Sequence, residues 1–260
     1  MEVVICETYQ EMGRVAARAV ADVLNTKPNA VLGMATGSTP LELYRELVRL
    51  HKEQGLDFSQ VTTFNLDEYV GLNPQQEQSY HRFMYDNFFK HVNVPPQNIY
   101  IPSGTTNNYK AFCDWYERRI KECGGIDMQI LGIGSDGHIA FNEPGSSLMS
   151  RTRLKTLAKS TIEDNARFFK RREDVPIYAI TMGVGTILEA RELILLANGK
   201  KKATAIAQAV EGPVTSMVTA SALQLHANAN VYLDREAASE LKMLDYYRWV
   251  HDNKPGAPAH

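Results

Sequence analysis

Between Leu131 and Gly145 the chain reads L-G-I-G-S-D-G-H-I-A-F-N-E-P-G, which sets Asp136 and Glu143 on either side of His138. Two carboxylates around one imidazole form a proton relay: one acid fixes the tautomer while the ring moves a proton. The same residue types could ligate a metal ion, but no second histidine lies nearby in the sequence, so a relay accounts for them better than a metal does. Gly132-Ile133-Gly134-Ser135-Asp136-Gly137 also satisfies G-x-G-x-x-G. A dinucleotide fingerprint should open a helix and meet an acid about 20 residues further on. Here Asn142 and Pro144 interrupt any helix, and no carboxylate lies around Leu157. A hydrolase elbow, G-x-S-x-G, would need glycine where Ile133 stands, so Ser135 is a poor nucleophile.

Other stretches carry groups suited to the same site. Val61 to Leu66 reads as a strand and runs into Asp67-Glu68-Tyr69-Val70-Gly71. Residues just past the carboxyl ends of strands line the crevice of an open parallel sheet, which makes Asp67 a candidate base; a helix N-cap or a solvated loop acid is the alternative. Ala30 to Ala35 is a second apolar strand, followed by Thr36-Gly37-Ser38-Thr39-Pro40 and a helix from Leu41 to Leu50. Free N–H groups gather at such a helix start, and Gly37, Ser38 and Thr39 leave room and donors for a phosphate; an ordinary capped helix fits these residues equally well. Lys200-Lys201-Lys202 precede another helix, where they oppose its dipole and point to an anionic partner. Arg167 lies in a helical stretch, Thr161 to Phe169, and Lys170-Arg171-Arg172 follow as a polar segment with the character of a lid.

These groups need a scaffold, and apolar periodicity supplies one. Strands are predicted at Val3 to Cys6, Met128 to Ile133, Arg151 to Thr156, Ile177 to Met182, Glu192 to Ala197 and Val231 to Leu233, besides the two above. Helices are predicted at Tyr9 to Leu24, Ser79 to Phe89, Tyr109 to Glu122 and Leu241 to Val250. The aromatics of Ser79 to Phe89 read as core, and Arg153 and Lys155 as the basic face of a strand. Gly132, Gly134 and Gly137 are expected to allow backbone angles that other residues avoid. Strands alternate with helices, so the expected fold is α/β: an open, mostly parallel Rossmann-like sheet with helices on both faces. One domain spans 1–253, with a disordered tail at 254–260.

With 260 residues and 44% hydrophobic content, the chain can bury a large core. A formal charge of −2 carries no basic excess, which argues against a nucleic-acid partner. No apolar run reaches the length of a membrane span, and the amino terminus has no signal-peptide pattern, so a cytoplasmic location is expected. Cys6, Cys113 and Cys123 are odd in number and spaced as free thiols.

The motifs together resemble the family that holds glucosamine-6-phosphate deaminases and 6-phosphogluconolactonases. The resemblance runs nearly end to end, through A-T-G-S-T-P (35–40), N-L-D-E-Y-V-G (65–71), G-I-G-S-D-G-H-I-A-F-N-E-P-G-S-S (132–147), S-R-T-R (150–153), N-A-R-F-F (165–169), M-G-V-G-T (182–186), K-A-T-A-I (202–206) and L-Q-L-H (223–226). It implies a deaminase of the hydrolase class that converts glucosamine 6-phosphate and water to fructose 6-phosphate and ammonia, without cofactor or metal. By the same resemblance His138 assists ring opening, with Asp136 and Glu143 orienting it, and Asp67 moves a proton from C2 to C1. Gly37, Ser38, Thr39, Arg167 and Lys202 would hold the phosphate. Some family members form hexamers activated by N-acetylglucosamine 6-phosphate, and that second site maps onto Met1, Ser146, Ser147, Arg153, Lys155 and Tyr246. The lactonase, or a sugar-phosphate sensor without catalysis, are the rival readings. The N-L-D-E-Y-V-G match argues against the first, and the absence of a basic arm in this sequence argues against the second.

Overall fold

The computed structural model describes residues 1–254, so all of the predicted tail beyond Lys254 lies outside the described residues. In chain order the elements are β1 (Glu2–Cys6), α1 (Tyr9–Thr26), β2 (Val31–Met34), α2 (Leu41–Gln54), β3 (Thr62–Asn65), β4 (Asp67–Tyr69), α3 (Tyr80–Asn87), β5 (Ile99–Tyr100), α4 (Tyr109–Glu122), β6 (Met128–Leu131), β7 (Arg153–Thr156), α5 (Lys159–Asn165), β8 (Tyr178–Thr181), α6 (Val184–Leu188), β9 (Glu192–Ala197), α7 (Ala203–Glu211), β10 (Ala229–Asp234) and α8 (Leu244–Asp252).

Seven strands form one sheet in the order β1-β10-β9-β6-β2-β3-β5, and each neighbouring pair is parallel. β2 and β6 are buried along their whole length, as strands covered on both faces should be. From β2 the chain builds outward through β3 and β5; after α4 it builds the other way, through β6, β9 and β10. The order therefore reverses between β2 and β6, and in open α/β sheets a ligand crevice lies beyond the carboxyl ends at such a point. Of the flanking helices, α1 shows the local logic best. Thr8 Oγ1 accepts from Glu11 N at 3.2 Å to start it, and Met12, Ala16, Val20 and Leu24 recur at helical spacing as its buried stripe.

A second sheet of three antiparallel strands, β4-β8-β7, stands beside the first. Periodicity identifies β7 and β8 as strands but does not assign them to a separate sheet. It also misses β4, because three residues show no period. Leu66 is where the chain changes sheets: its N–H donates to Met34 O at 3.1 Å, and its carbonyl accepts from Met182 N at 2.7 Å. Asp67 thus begins a strand, where a loop was expected.

Three smaller expectations need correction. Thr161 to Phe169 is not one helix, since α5 ends at Asn165 and a 3-10 turn, Ala166–Phe168, carries Arg167. The predicted helix from Leu241 starts at Leu244. Arg153 and Lys155 do not form a solvated face; both are half-buried, and the residue between them, Leu154, is exposed.

Candidate active site

A cavity of about 370 Å³ opens at the reversal between β2 and β6. The turn after β2 (Thr36 to Thr39) and the turn after β6 (Gly132 to Ser135) line it, together with Asp67, His138, Arg167 and Lys202. Groups far apart in sequence therefore meet at one mouth, most of them because strands end there, and Arg167 from the turn after α5.

Asp67 is buried at the base of this cavity and pairs across the ladder with Thr181 of β8. Burial, and next the negative charge of Glu68, push its carboxyl up to about 8. Without a ligand, this acid holds its proton at neutral pH.

The central turn orients His138. Nδ1 lies 2.6 Å from Asp136 Oδ1, and the same carboxylate oxygen accepts from His138 N at 3.2 Å. Glu143 stands behind, its Oε2 3.8 Å from Nδ1, and is itself held by Ala158 N (2.9 Å) and Thr161 Oγ1 (3.0 Å). Both carboxylates thus face one ring nitrogen. Nδ1 is fixed as the protonated or proton-sharing atom, while Nε2 makes no hydrogen bond to the protein among the described residues. Burial pushes the Asp136 carboxyl up, but its bonds to His138 outweigh that and hold it below the ordinary range. Donor atoms of the three groups lie within 4.8 Å of one another, a spacing a cation could use, yet 2.6 Å is the separation of a shared proton.

The expectation for the three glycines holds at Gly137 alone, with φ +85°. Gly134 is needed for space: a Cβ there would lie 2.3 Å from His138 Cε1. Gly132 has neither a positive φ nor a neighbour within 4 Å of an added Cβ. The unusual backbone belongs instead to Ala140, at φ 51° on the cavity wall.

At the other end of the cavity, the N-cap residue of α2, Pro40, makes no side-chain cap bond, and Glu42 N in the first turn donates to Tyr9 Oη at 3.1 Å. Gly37 turns at φ +103°, Tyr9 Oη donates to Ser38 O at 2.8 Å, and Thr39 Oγ1 donates to Asn198 Oδ1 at 2.9 Å. Ser38 Oγ makes no hydrogen bond to the protein among the described residues, so it does not cap α2. Lys202 sits half-buried on the same rim; burial pushes its ammonium down, Asp164 pulls it up, Arg167 pushes it down and Asp136 pulls it up. Asp164, overlooked in the sequence, lines this end and accepts from Ser135 Oγ at 2.8 Å.

An aromatic wall was also missed. Tyr69 packs against Tyr80, Phe141 and Phe169, and Tyr80 stacks on Phe141, with ring centroids 5.1–6.2 Å apart, and all four line the cavity. Tyr80 and Phe83 stand three residues apart on α3, the spacing that read as core; helical periodicity marks an inward face without telling a core from a cavity.

The groups suggested for a second phosphate come from separate elements. Ser146 Oγ is buried without a partner among the described residues, and Ser147 Oγ accepts from Met149 N at 3.2 Å. Arg153 Nη1 donates to Asn142 Oδ1 at 2.9 Å, with Lys155 two residues on along β7. Met1 and Tyr246 are exposed elsewhere, at the start of β1 and on α8, which packs against β1.

Comparison with known proteins bears on this arrangement. Residues 6–232 match the family described as glucosamine-6-phosphate isomerases/6-phosphogluconolactonase. A glucosamine-6-phosphate deaminase of Arthrobacter sp. (strain FB24) is 51% identical over 255 residues, covering 98% of each chain. Among solved structures, a monomeric glucosamine-6-phosphate deaminase superposes with a TM-score of 0.91 at 47% identity, covering 92% of this chain and 100% of that one. A 6-phosphogluconolactonase from Trypanosoma cruzi, at 20% identity and a TM-score of 0.74 over 93% of this chain and 97% of its own, shares the fold.

Proposed function

The chain belongs to the family of glucosamine-6-phosphate isomerases and 6-phosphogluconolactonases, and from that membership we propose that it converts glucosamine 6-phosphate and water to fructose 6-phosphate and ammonia. Support comes from relatives at about half identity over the full length that bear the deaminase name, whereas the likeness to lactonases extends only to the fold. The observation that carries the reading is a buried carboxyl, Asp67, sharing one cavity with an imidazole whose free nitrogen is the one not held by carboxylates. Deamination by isomerisation needs a base for carbon; lactone hydrolysis does not.

The sugar's phosphate sits at the start of α2, held by the N–H groups there, by the Ser38 and Thr39 hydroxyls and by Lys202, with Arg167 covering it from the turn after α5. His138, oriented by Asp136 and backed by Glu143, assists transfer of the proton that opens the pyranose ring. The resulting aldehyde acidifies the C2 hydrogen. Asp67 takes that proton and returns it to C1, and one carboxylate serves both carbons because they are adjacent. The substrate's own ammonium group, on C2, lowers the proton affinity of Asp67 and so generates the ionised base as the substrate arrives. Hydrolysis of the ketimine then releases ammonia. Activation by N-acetylglucosamine 6-phosphate at Met1, Ser146, Ser147, Arg153, Lys155 and Tyr246 would require a neighbouring copy to complete the site, as in a hexamer, since Met1 precedes β1 and Tyr246 lies on α8, whereas Arg153 and Lys155 belong to β7 of the other sheet.

Ammonia release from glucosamine 6-phosphate by EDTA-treated protein tests the main reading. Turnover that survives chelation is the expected result. Hydrolysis of 6-phosphogluconolactone without ammonia release from the amino sugar would replace deaminase by lactonase, and binding without turnover would leave a sensor.

A further inference from the structure

One carboxylate beside the cavity has no part in the chemistry above. Glu68 follows Asp67 on β4, and strand alternation turns its side chain to the opposite face. It is fully buried and accepts four hydrogen bonds: Oε1 from Tyr69 N (2.8 Å) and Tyr80 N (3.1 Å), Oε2 from Ser79 Oγ (2.6 Å) and His81 N (3.3 Å). Ser79 is the N-cap of α3, and Tyr80 and His81 are its first residues, so the carboxylate occupies the end of the helix that favours an anion. Three of the four partners are backbone N–H groups, which donate and cannot accept, and such a cradle suits the ionised acid. Burial pushes the Glu68 carboxyl above its ordinary value, against the pull of these four bonds.

We propose that Glu68 is a positioning residue for Asp67: it bolts β4 to the first turn of α3 and holds a fixed negative charge next to Asp67 that makes Asp67 a stronger base. This rests on the reading of Asp67 as the proton-transfer group. No other neighbour supplies that charge. Tyr69 on β4, Tyr80 on α3 and Tyr116 on α4 are within electrostatic reach, and burial pushes all three phenols up, so they stay neutral. Thr181, opposite on β8, does not titrate, and Arg153 beyond it on β7 turns its guanidinium to Asn142 Oδ1 and Arg151 O. The His81 ring is engaged by Pro102 O, and His138 shares its Nδ1 proton with Asp136. Apart from burial, the Glu68 charge is what raises the proton affinity of Asp67. The bolt also has geometric consequences, because α3 carries Tyr80 and Phe83 to the cavity wall, and Glu68, together with the Tyr69–Tyr80 ring contact, ties α3 to the strand that bears Asp67.

The test follows the two carboxyl groups directly. In uniformly labelled enzyme the side-chain carboxyl carbons of Asp67 and Glu68 are assigned through their backbones and titrated by NMR. Glu68 is expected to stay ionised through the range in which Asp67 titrates. In Glu68→Gln the Asp67 midpoint should fall by about one pH unit or more, and the acidic limb of kcat/KM should fall with it. Glu68→Asp, which keeps the charge on a shorter arm, should leave the midpoint high while lowering kcat. An Asp67 midpoint unmoved in Glu68→Gln would overturn the proposal. So would a wild-type Glu68 that still carries a proton where Asp67 titrates, a result that does not depend on any variant folding. Failure of the base assignment looks different: Asp67→Asn would turn over substrate at the wild-type rate, whatever the midpoints do.

Discussion

Asp67 combines burial with a carboxyl that titrates near 8, and that pairing sets its expected kinetics. In the proposed role of base it must be ionised, so kcat/KM, which reports the free enzyme, should climb as pH rises through that value and level off above it. Asp67→Asn should lower kcat by about 100- to 10,000-fold, with inhibitor affinity for a non-reacting sugar phosphate changed only a few fold; steady-state kinetics and calorimetric titration check the two halves. Gly134 makes a sharper demand on geometry. An alanine Cβ would enter the His138 ring, so Gly134→Ala should reduce kcat by about 100-fold or more while far-ultraviolet circular dichroism stays unchanged. Gly134's role could not be read from residue types, because it depends on where the His138 ring comes to rest. Asp136, His138 and Glu143, by contrast, were legible as a set because they are neighbours in the chain.

At the scale of elements, the cavity is made by strand ends and closed by pieces of helix. The start of α2 and the turn before α7 bring Ser38, Thr39 and Lys202 to one rim, and the 3-10 turn after α5 brings Arg167. Lys202→Ala should raise KM by about 10-fold or more and leave kcat nearly unchanged, since a charge-assisted hydrogen bond is worth about 1.5–3 kcal/mol. A comparable fall in kcat instead would move Lys202 out of phosphate binding and into the chemical step. The strands β2, β3 and β6 were legible from their apolar runs, as were the helices with a clean stripe. β4 was not, and its three residues form a strand only because β8 offers a partner edge. Glu143 shows the same limit: its sequence position suggests a relay acid, but its place behind His138 is set by Ala158 N and Thr161 Oγ1, from a segment 15 to 18 residues further on.

For the whole molecule, the buried acid couples chemistry to stability. Asp67 titrates near 8 when folded, against 3.8 as the ordinary value, so its proton favours the fold fully below about pH 4 and that contribution is lost as pH rises through 8. Relative to Asp67→Asn, the wild type should therefore lose up to about 1.4 kcal/mol per pH unit across that window, read as a widening gap in denaturant midpoints. Cys6, Cys113 and Cys123 are free thiols, as their number suggested, and among the described residues no helix is long and apolar enough to cross a membrane. Sedimentation with and without N-acetylglucosamine 6-phosphate decides whether copies assemble to complete the second site, and a monomer insensitive to that sugar would remove it. By itself the sequence determined the alternation of strands and helices and the grouping of Asp136, His138 and Glu143, and it named candidates for holding a phosphate, because local periodicity, turn chemistry and residue type are written in neighbouring positions. Tertiary structure alone decided that β2 and β6 stand side by side with their carboxyl ends open, that a second sheet takes Asp67 out of solvent, and that Glu68 lies against α3. Those are contacts between segments distant in the chain, and the burial that raises the proton affinity of Asp67 exists only once they form.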